Sequence, residues 1–185
     1  ALRSGAPAAS IRSWNAEFAE LGLALDAGRR QALSAIEAGL REATAALLGT
    51  ELGVEYQGGW PQDLELAAAL GQGMDKDLQQ GSTLYGPHRA DLRLKFDARL
   101  ARKLVSRGQQ KLLACSMVLA AAEAVQAELG RPLLLLLDDP AAELDRDSLG
   151  RLMSRVAGLG CQVVATSLQR DEGLFPVAPA MFHVE

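Results

Sequence analysis

Two carboxylates directly follow the most apolar run of the 185-residue sequence. Leu133 to Leu137 predicts a strand buried on both faces, which delivers Asp138 and Asp139 to the sheet edge where open α/β sheets bind ligands. Carboxylate oxygens suit a magnesium nucleotide, so Asp138 is the candidate Mg²⁺ residue. Asp139 is placed to orient or deprotonate an attacking water. The alternative is a core strand that merely ends in a polar turn.

A second candidate phosphate site precedes this strand. Ser106 is a favourable helix N-cap, Gly108 allows close backbone approach, and strong helix formers follow. The free amides and the positive end of such a helix attract an anion. An ordinary capped helix without a ligand is the alternative.

The elements that must position these residues follow from periodicity. Residues 11–48 predict an amphipathic helical arm, either one helix or a pair broken near Gly28. The apolar positions expected to pack are Trp14, Phe18, Leu21, Leu25, Leu33, Ile36, Leu40 and Leu47. The other predicted helices are 64–80, 109–129 and 147–156, and the predicted strands are 52–57, 92–96, 133–137, 161–167 and 181–184. The helix 109–129 is expected to be largely buried, with Leu112, Leu113, Met117, Leu119 and Val125 around its circumference.

Alternating strands and helices predict an α/β fold with a parallel or mixed sheet flanked by helices. We expect residues 1–81 to form a mainly helical arm with a short strand. We expect residues 82–185 to form part of the α/β head.

The amino-acid composition is typical of a globular protein and argues against a basic nucleic-acid-binding surface and a membrane-spanning segment. The chain is 49% hydrophobic and 23% charged, which is ordinary for a globular protein. Its net charge of −4 and pI near 5.3 argue against a broadly basic nucleic-acid surface. The longest aliphatic run is too short to span a bilayer, so no membrane role is expected. Cys115 and Cys161 have no metal or disulfide spacing and are expected to be reduced, buried thiols.

In this order and spacing, the motifs resemble those of the ABC-type ATPases. Ser106-Arg107-Gly108-Gln109-Gln110 is similar to their signature motif, with Arg107 where transporters carry glycine. Asp138-Asp139-Pro140 is similar to their Walker B motif, and Leu144-Asp145 to their D-loop. The resemblance narrows to the RecF family of bacterial recombination mediators through the paired aspartates and through the segments 106–111, 86–92 and 181–185.

The resemblance implies a role for each motif. Two heads of this family sandwich ATP, so Ser106, Arg107, Gly108 and Gln109 would contact nucleotide held by a partner. Asp138 and Asp139 would serve the chain's own nucleotide, and Asp145 would bridge the interface.

Three further residues each have more than one possible role in such an ATPase. Ser167 stands where transporters carry a switch histidine, which makes it a candidate switch or a simple strand terminus. His88 and Arg89 are candidates for contact with nucleotide, DNA or a partner. A surface loop held by salt bridges is the alternative for that pair.

The sequence contains no glycine-rich loop ending in Gly-Lys-Ser/Thr. It therefore resembles only the carboxyl-terminal half of the family. ATP and Mg²⁺ are expected as cofactors of the intact protein, a weak ATPase, whereas this segment should not hydrolyse ATP alone. We also expect the strand 133–137 to expose apolar surface, and the segment to self-associate.

The implied function is ATP-dependent homodimerisation in the cytoplasm on gapped or damaged DNA, including junctions of single and double strands. RecR and RecO would be partners in loading the RecA recombinase, and the implied processes are DNA replication, repair, recombination and the SOS response. The competing hypothesis is a non-enzymatic module that binds a protein or DNA.

Overall fold

The structure, a computed structural model, describes residues 8–168, 175 and 179–183 and has an α/β fold. Its helices are α1 (Ala8–Leu48), α2 (Leu66–Gln80), α3 (Arg107–Leu129) and α4 (Arg146–Gly158), and short 3-10 helices lie at Pro87–Arg89 and Ala101–Lys103. Its strands are β1 (Gly53–Gln57), β2 (Asp91–Phe96), β3 (Arg99–Leu100), β4 (Leu134–Leu137) and β5 (Gln162–Ala165). The predicted fold class is confirmed.

The described strands form two sheets. One has the order β1-β2-β3, with β2 and β3 antiparallel. In the other, β4 and β5 are parallel, and their register runs from Leu134 opposite Gln162 to Leu137 opposite Ala165. The ends of β4 and β5 therefore meet at the same edge, as the sequence predicts for the strand that carries the two aspartates.

Residue contacts divide the chain into two compact units. The first comprises residues 1–34 and 54–94, and the second comprises residues 35–53 and 95–185. Helix α1 is a single continuous helix through Gly28, so the predicted helix is confirmed and the alternative of a broken pair is excluded. The helix ends before Gly49, whose φ of 67° lies in the left-handed region that favours glycine.

The first unit buries a stripe of α1 that the sequence did not favour. Ala19, Gly22 and Asp26 are buried, whereas Trp14 and Leu21 are 62% and 63% exposed. A methyl group added at Gly22 would lie 2.7 Å from the Leu66 side chain, so a small residue is what allows this close packing. The predicted packing is therefore wrong for Trp14 and Leu21, because a neighbouring stripe of small residues has the same spacing and admits a closer neighbour. It is confirmed further along the helix for Leu40 and Leu47, which are fully buried.

A polar network fixes strand β1 to α1 within the first unit. The buried Asp26 accepts hydrogen bonds from the Tyr56 hydroxyl at 2.9 Å and from Arg30 at 2.7 Å. Burial and the Asp26 carboxylate raise the pKa of Tyr56. The Arg30 guanidinium also lies 4.9 Å from the centre of the Tyr56 ring. A buried carboxylate with two donors is stable where an unpaired one would not be.

The core of the second unit lies between α1, α3, α4 and β4. Its fully buried members are Leu47, Leu112, Leu119, Leu135, Leu152, Met153 and Val156. Arg155 of α4 forms ion pairs with Glu42 of α1 and Glu123 of α3, each at 2.9 Å. These contacts place the start of α3 and the end of β4, which carry the two candidate motifs, on one packed scaffold.

Helix α3 is buried on one side only. Leu112, Leu113, Ser116, Leu119 and Ala120 are buried, but Val118, Val125 and Leu129 are exposed. The expectation that this helix is largely buried is therefore wrong. By length and composition α3 is the one helix among the described residues that could cross a membrane, a test that core helices also pass. Cys115 and Cys161 are half-buried rather than buried, and burial raises the pKa of the Cys115 thiol.

The β4–β5 sheet is covered on one face. Leu135 is buried, whereas Leu134 and Leu136 on the opposite face are 56% and 69% exposed. The expectation of exposed apolar surface at this strand is confirmed, and the prediction that the strand is buried on both faces is wrong for this chain. Burial of that face would require neighbouring elements that a leucine run cannot specify.

The structure describes the two ends of the chain only in part. Residues 181–183 are irregular, so the predicted last strand is wrong there, and Val184 lies outside the described residues. Residues 1–7 also lie outside the described residues.

The two tryptophans of the first unit provide a test of its packing. Trp60 packs against the buried residues Ala19, Leu66 and Leu70, whereas Trp14 is mostly exposed. We expect Trp60→Ala to lower the free energy of unfolding by about 2 kcal/mol. The control Trp14→Ala should change it by less than about 0.5 kcal/mol. Urea denaturation followed by circular dichroism measures both, and equal losses would contradict this packing.

Candidate functional site

The two aspartates lie at the edge where β4 and β5 end, and Thr166 joins them. Its backbone N–H donates to the Leu137 carbonyl at 2.9 Å, which continues the parallel register past β5. Its hydroxyl donates to Asp138 Oδ1 at 2.6 Å and accepts from the Asp139 backbone N–H at 3.0 Å. The carboxylate of one aspartate and the backbone of the other are therefore fixed by a single side chain.

Asp139 adopts a left-handed backbone conformation, with a φ of 41°. Non-glycine residues seldom adopt it, and short polar side chains such as aspartate do so more easily than longer ones. This gives a physical reason for aspartate, rather than glutamate, directly after Asp138 in this chain. Asp138 is exposed and Asp139 is half-buried, so both carboxylates can be reached from the strand edge.

The candidate signature residues form the start of α3. The Ser106 hydroxyl accepts from the Gln109 N–H at 3.3 Å, and the Gln109 side-chain oxygen accepts from the Ser106 N–H at 2.9 Å. This reciprocal capping box satisfies two backbone donors at the helix start. Ser106, Arg107 and Gln109 are exposed. The predicted N-cap is thus confirmed, and the positive helix end faces the surface.

The start of α3 packs against the loop between Asp138 and Asp145. A methyl group added at Gly108 would lie 2.7 Å from the Glu143 carbonyl oxygen, so glycine is required for this approach. The Lys111 ammonium donates to the carbonyls of Asp139 at 2.8 Å and Ala142 at 2.9 Å. The close backbone approach predicted at Gly108 therefore occurs within the chain, and it brings the two motifs together.

Asp145 is the N-cap of α4. Its carboxylate accepts from the Ser148 N–H at 2.8 Å and from the Ser148 hydroxyl at 2.9 Å. These hydrogen bonds hold the pKa of Asp145 below its ordinary value, and the Arg151 charge lowers it further. Asp145, the candidate D-loop aspartate, thus has a local structural role: as the N-cap it determines where the loop after β4 ends and α4 begins.

Thr166 is the site residue that sequence reasoning missed. The sequence singled out the adjacent Ser167, which is exposed just after the end of β5. The signal that could have identified Thr166 is its register, one residue beyond the position opposite Leu137. A threonine hydroxyl there is close enough to reach the first carboxylate that follows β4.

His88 and Arg89 lie in the first unit and share one acceptor. His88 Nε2 lies 2.9 Å from the Thr83 carbonyl oxygen, to which Arg89 donates at 3.3 Å and 3.4 Å. Arg29 of α1 donates to the Pro87 carbonyl at 2.6 Å. Hydrogen bonds to backbone carbonyls therefore order this loop, while both side chains remain exposed.

The residues present can contribute to a magnesium nucleotide site but cannot form a metal cage. Within residues 8–168, 175 and 179–183, no group of three His, Cys, Asp or Glu side chains is placed to hold a metal ion. Mg²⁺ bound to a nucleotide takes one or two protein carboxylates and completes its shell with phosphates and water. The exposed carboxylate of Asp138 fits that limited requirement.

No family model matches the sequence, but curated proteins are similar to it over its whole length. The chain is 35% identical, over all of its length, to the DNA replication and repair protein RecF of Thioalkalivibrio sulfidiphilus, and 36% identical to that of Xanthomonas euvesicatoria. The chain matches the carboxyl-terminal half of RecF. It spans about half the length of these curated relatives, 52% of the first and 51% of the second.

Solved RecF structures have the same fold. One is described as the recombination mediator protein RecF-ATP in the RecFOR pathway, with a TM-score of 0.73 and 22% identity. It aligns over 87% of this chain and 45% of that chain. A second, described as RecF-ATPrS, has a TM-score of 0.72 and 23% identity over 90% of this chain and 47% of that chain. The RecF fold therefore accounts for the head-like α/β arrangement.

Gly108 offers a direct test of the packing between the two motifs. We expect Gly108→Ala to lower the free energy of unfolding by about 1–3 kcal/mol, because the added methyl meets a backbone carbonyl that cannot rotate away. The matched control is Gly150→Ala in α4, where no atom lies within 4 Å of the added methyl. The control should raise stability by about 0.5–1 kcal/mol. Equilibrium urea denaturation distinguishes the two, and a stabilising Gly108→Ala would rule out the close approach.

Proposed function

We propose that this chain acts as the carboxyl-terminal half of a RecF-type ATPase that dimerises around ATP during DNA replication and repair. The observation that carries the proposal is the packing of the signature helix against the loop of the paired aspartates. That packing presents an anion-attracting helix end and two carboxylates from one scaffold. A core strand that merely ends in a polar turn does not account for the contacts of Lys111, Gly108 and Thr166 with the loop that follows β4.

The proposed roles divide between two nucleotides. Ser106, Arg107, Gly108 and Gln109 lie at an exposed helix start and would contact the γ-phosphate of nucleotide held by a partner subunit. Asp138 would hold Mg²⁺, which neutralises charge on the phosphates when bound. Asp139 would orient or deprotonate the attacking water of the chain's own nucleotide. Asp145 would contact the partner across the interface, and Ser167 would serve as the switch residue.

We propose that the enzyme is slow. The Asp139 side chain is one methylene shorter than glutamate, which moves its carboxylate away from a water that a glutamate would reach. The left-handed backbone at this position favours the shorter residue, so the slow rate and the local conformation have one cause. Slow hydrolysis suits a protein whose ATP-bound dimer must persist on DNA.

The proposed biological role follows the printed descriptions of the relatives, which are DNA replication and repair proteins and a mediator in the RecFOR pathway. We propose that the protein works in the cytoplasm on gapped or damaged DNA and acts with RecR and RecO in loading RecA. The net charge of −4 implies that DNA contact depends on a local basic patch. His88 and Arg89, exposed on an ordered loop, are candidates for DNA, nucleotide or partner contact.

A second candidate function is a non-enzymatic interaction module. It is favoured by the exposed apolar stripe of α1, which comprises Trp14, Phe18, Leu21 and Leu25. Exposed aromatic and leucine side chains at helical spacing are typical of protein-binding surfaces. Under this hypothesis the aspartates and the signature helix would be structural only, and adding the missing half of the family would produce no ATP turnover.

Calorimetry with ATP and Mg²⁺ tests the proposal. The 185-residue chain alone should bind ATP more weakly than about 1 mM, because it has no phosphate-binding loop. A completed protein, made by joining the chain to the amino-terminal half of a RecF relative, should bind ATP at micromolar concentrations and hydrolyse it slowly.

Variants of the completed protein provide the control. Asp139→Asn should reduce turnover, and Asp139→Glu should change it, whereas Asp147→Asn at an exposed position of α4 should leave it unaltered. Micromolar ATP binding by the chain alone would contradict the proposal. So would faster turnover in Asp139→Asn.

A further inference from the structure

We propose that Lys111 and Thr166 are positioning residues that hold Asp139 in its left-handed conformation from opposite sides of its backbone. Thr166 binds the N–H of Asp139, and Lys111 binds its carbonyl. The inference rests on the proposed function for the role of Asp139, but the conformational claim stands on the geometry alone. It assigns to these two side chains the orientation of the candidate catalytic carboxylate.

The contact from Thr166 links the strand edge to both aspartates. One hydroxyl donates to the Asp138 carboxylate and accepts from the Asp139 N–H, which uses both its hydrogen-bonding capacities. Because the hydroxyl accepts one bond and donates the other, the two bonds form a chain in which each polarises the other. A serine could make the same pair of bonds, whereas valine, equal in shape, could make neither.

The contact from Lys111 links the signature helix to the same residue. Lys111 is half-buried, and its ammonium bridges the carbonyls of Asp139 and Ala142 at 2.8 and 2.9 Å. Glu143, the residue after Ala142, also lies in the left-handed region, at a φ of 64°. Two left-handed residues close together are unfavourable unless the surroundings impose them, and a charged donor shared by two carbonyls provides that constraint.

The two contacts come from different elements, so the position of Asp139 depends on both elements. Displacement of α3 would move the Asp139 carbonyl through Lys111, and displacement of the β5 end would move the Asp139 N–H through Thr166. The peptide groups on either side of Asp139 are fixed, and they set the direction of its Cα–Cβ bond, from which the carboxylate extends. Gly108, packed on Glu143, limits how far α3 can slide relative to the loop.

Hydrogen exchange in the 185-residue chain tests the conformational claim. We expect amides 139–144, among which Pro140 has no N–H, to exchange about tenfold faster in Lys111→Met and in Thr166→Val, since each variant loses hydrogen bonds but keeps the side-chain volume. Lys111→Arg and Thr166→Ser keep the donors and should restore slow exchange. Lys103→Met, at an exposed lysine, is the control and should match the parent.

The amides of α4 are the internal reference for global unfolding. If they accelerate as much as amides 139–144, the residues support the whole fold rather than Asp139, and the inference is overturned. It is also overturned if exchange at 139–144 is unchanged, or if the Met and Arg variants of Lys111 behave alike.

Kinetics of the completed protein separate this inference from the proposed function. Lys111→Met should lower kcat about tenfold while KM for ATP stays within about twofold, because orientation of the water is lost and binding is not. Thr166→Val should also lower kcat about tenfold, and it removes a hydrogen bond from Asp138 as well. The conservative variants should recover kcat. If the completed parent protein does not hydrolyse ATP, the proposed function fails, and the exchange experiment still decides whether Asp139 is held in place. If Lys111→Met changed KM and kcat by equal factors, the positioning role of Lys111 would be contradicted.

Discussion

The packing of the α3 start against the loop after β4 is the interaction on which the rest of the site depends. Gly108 permits it, because a larger residue would meet the Glu143 carbonyl, and Lys111 secures it through two backbone carbonyls. As a result, the capped helix end and the aspartate pair move together as one structure. In a dimer of the kind proposed, the surface that contacts a partner's nucleotide would be rigidly joined to the residues that serve the chain's own.

The exposed apolar surfaces have a common physical feature: each is one side of an element whose other side is well packed. Helix α3 buries Leu112 and Leu119 but exposes Val118 and Val125, and β4 buries Leu135 but exposes Leu134 and Leu136. Surfaces of this kind are costly in water and favour association.

The sequence predicted those features whose cause is local. Ser106 as an N-cap, the position of Asp138 at a strand end and the continuity of most helices follow from residue type and spacing. The partners of Lys111 and Thr166 could not be predicted, because they depend on the parallel register of β4 and β5 and on how α3 meets the loop. The packed face of the first part of α1 was also missed. Its stripe of small residues and its stripe of large apolar residues have the same helical spacing, and only packing against the neighbouring α2 selects between them.

The central claim is that Ser106 and Asp139 of one chain serve different nucleotides, and a mixed dimer tests it most directly. In the completed protein, Ser106→Arg and Asp139→Asn should each abolish ATP turnover as homodimers. An equal mixture should recover about a quarter of the parent rate, because half the dimers are mixed and each of these has one intact site in a symmetric two-fold interface. If the mixture stays inactive, both residues serve the same nucleotide within one chain, and the account is wrong.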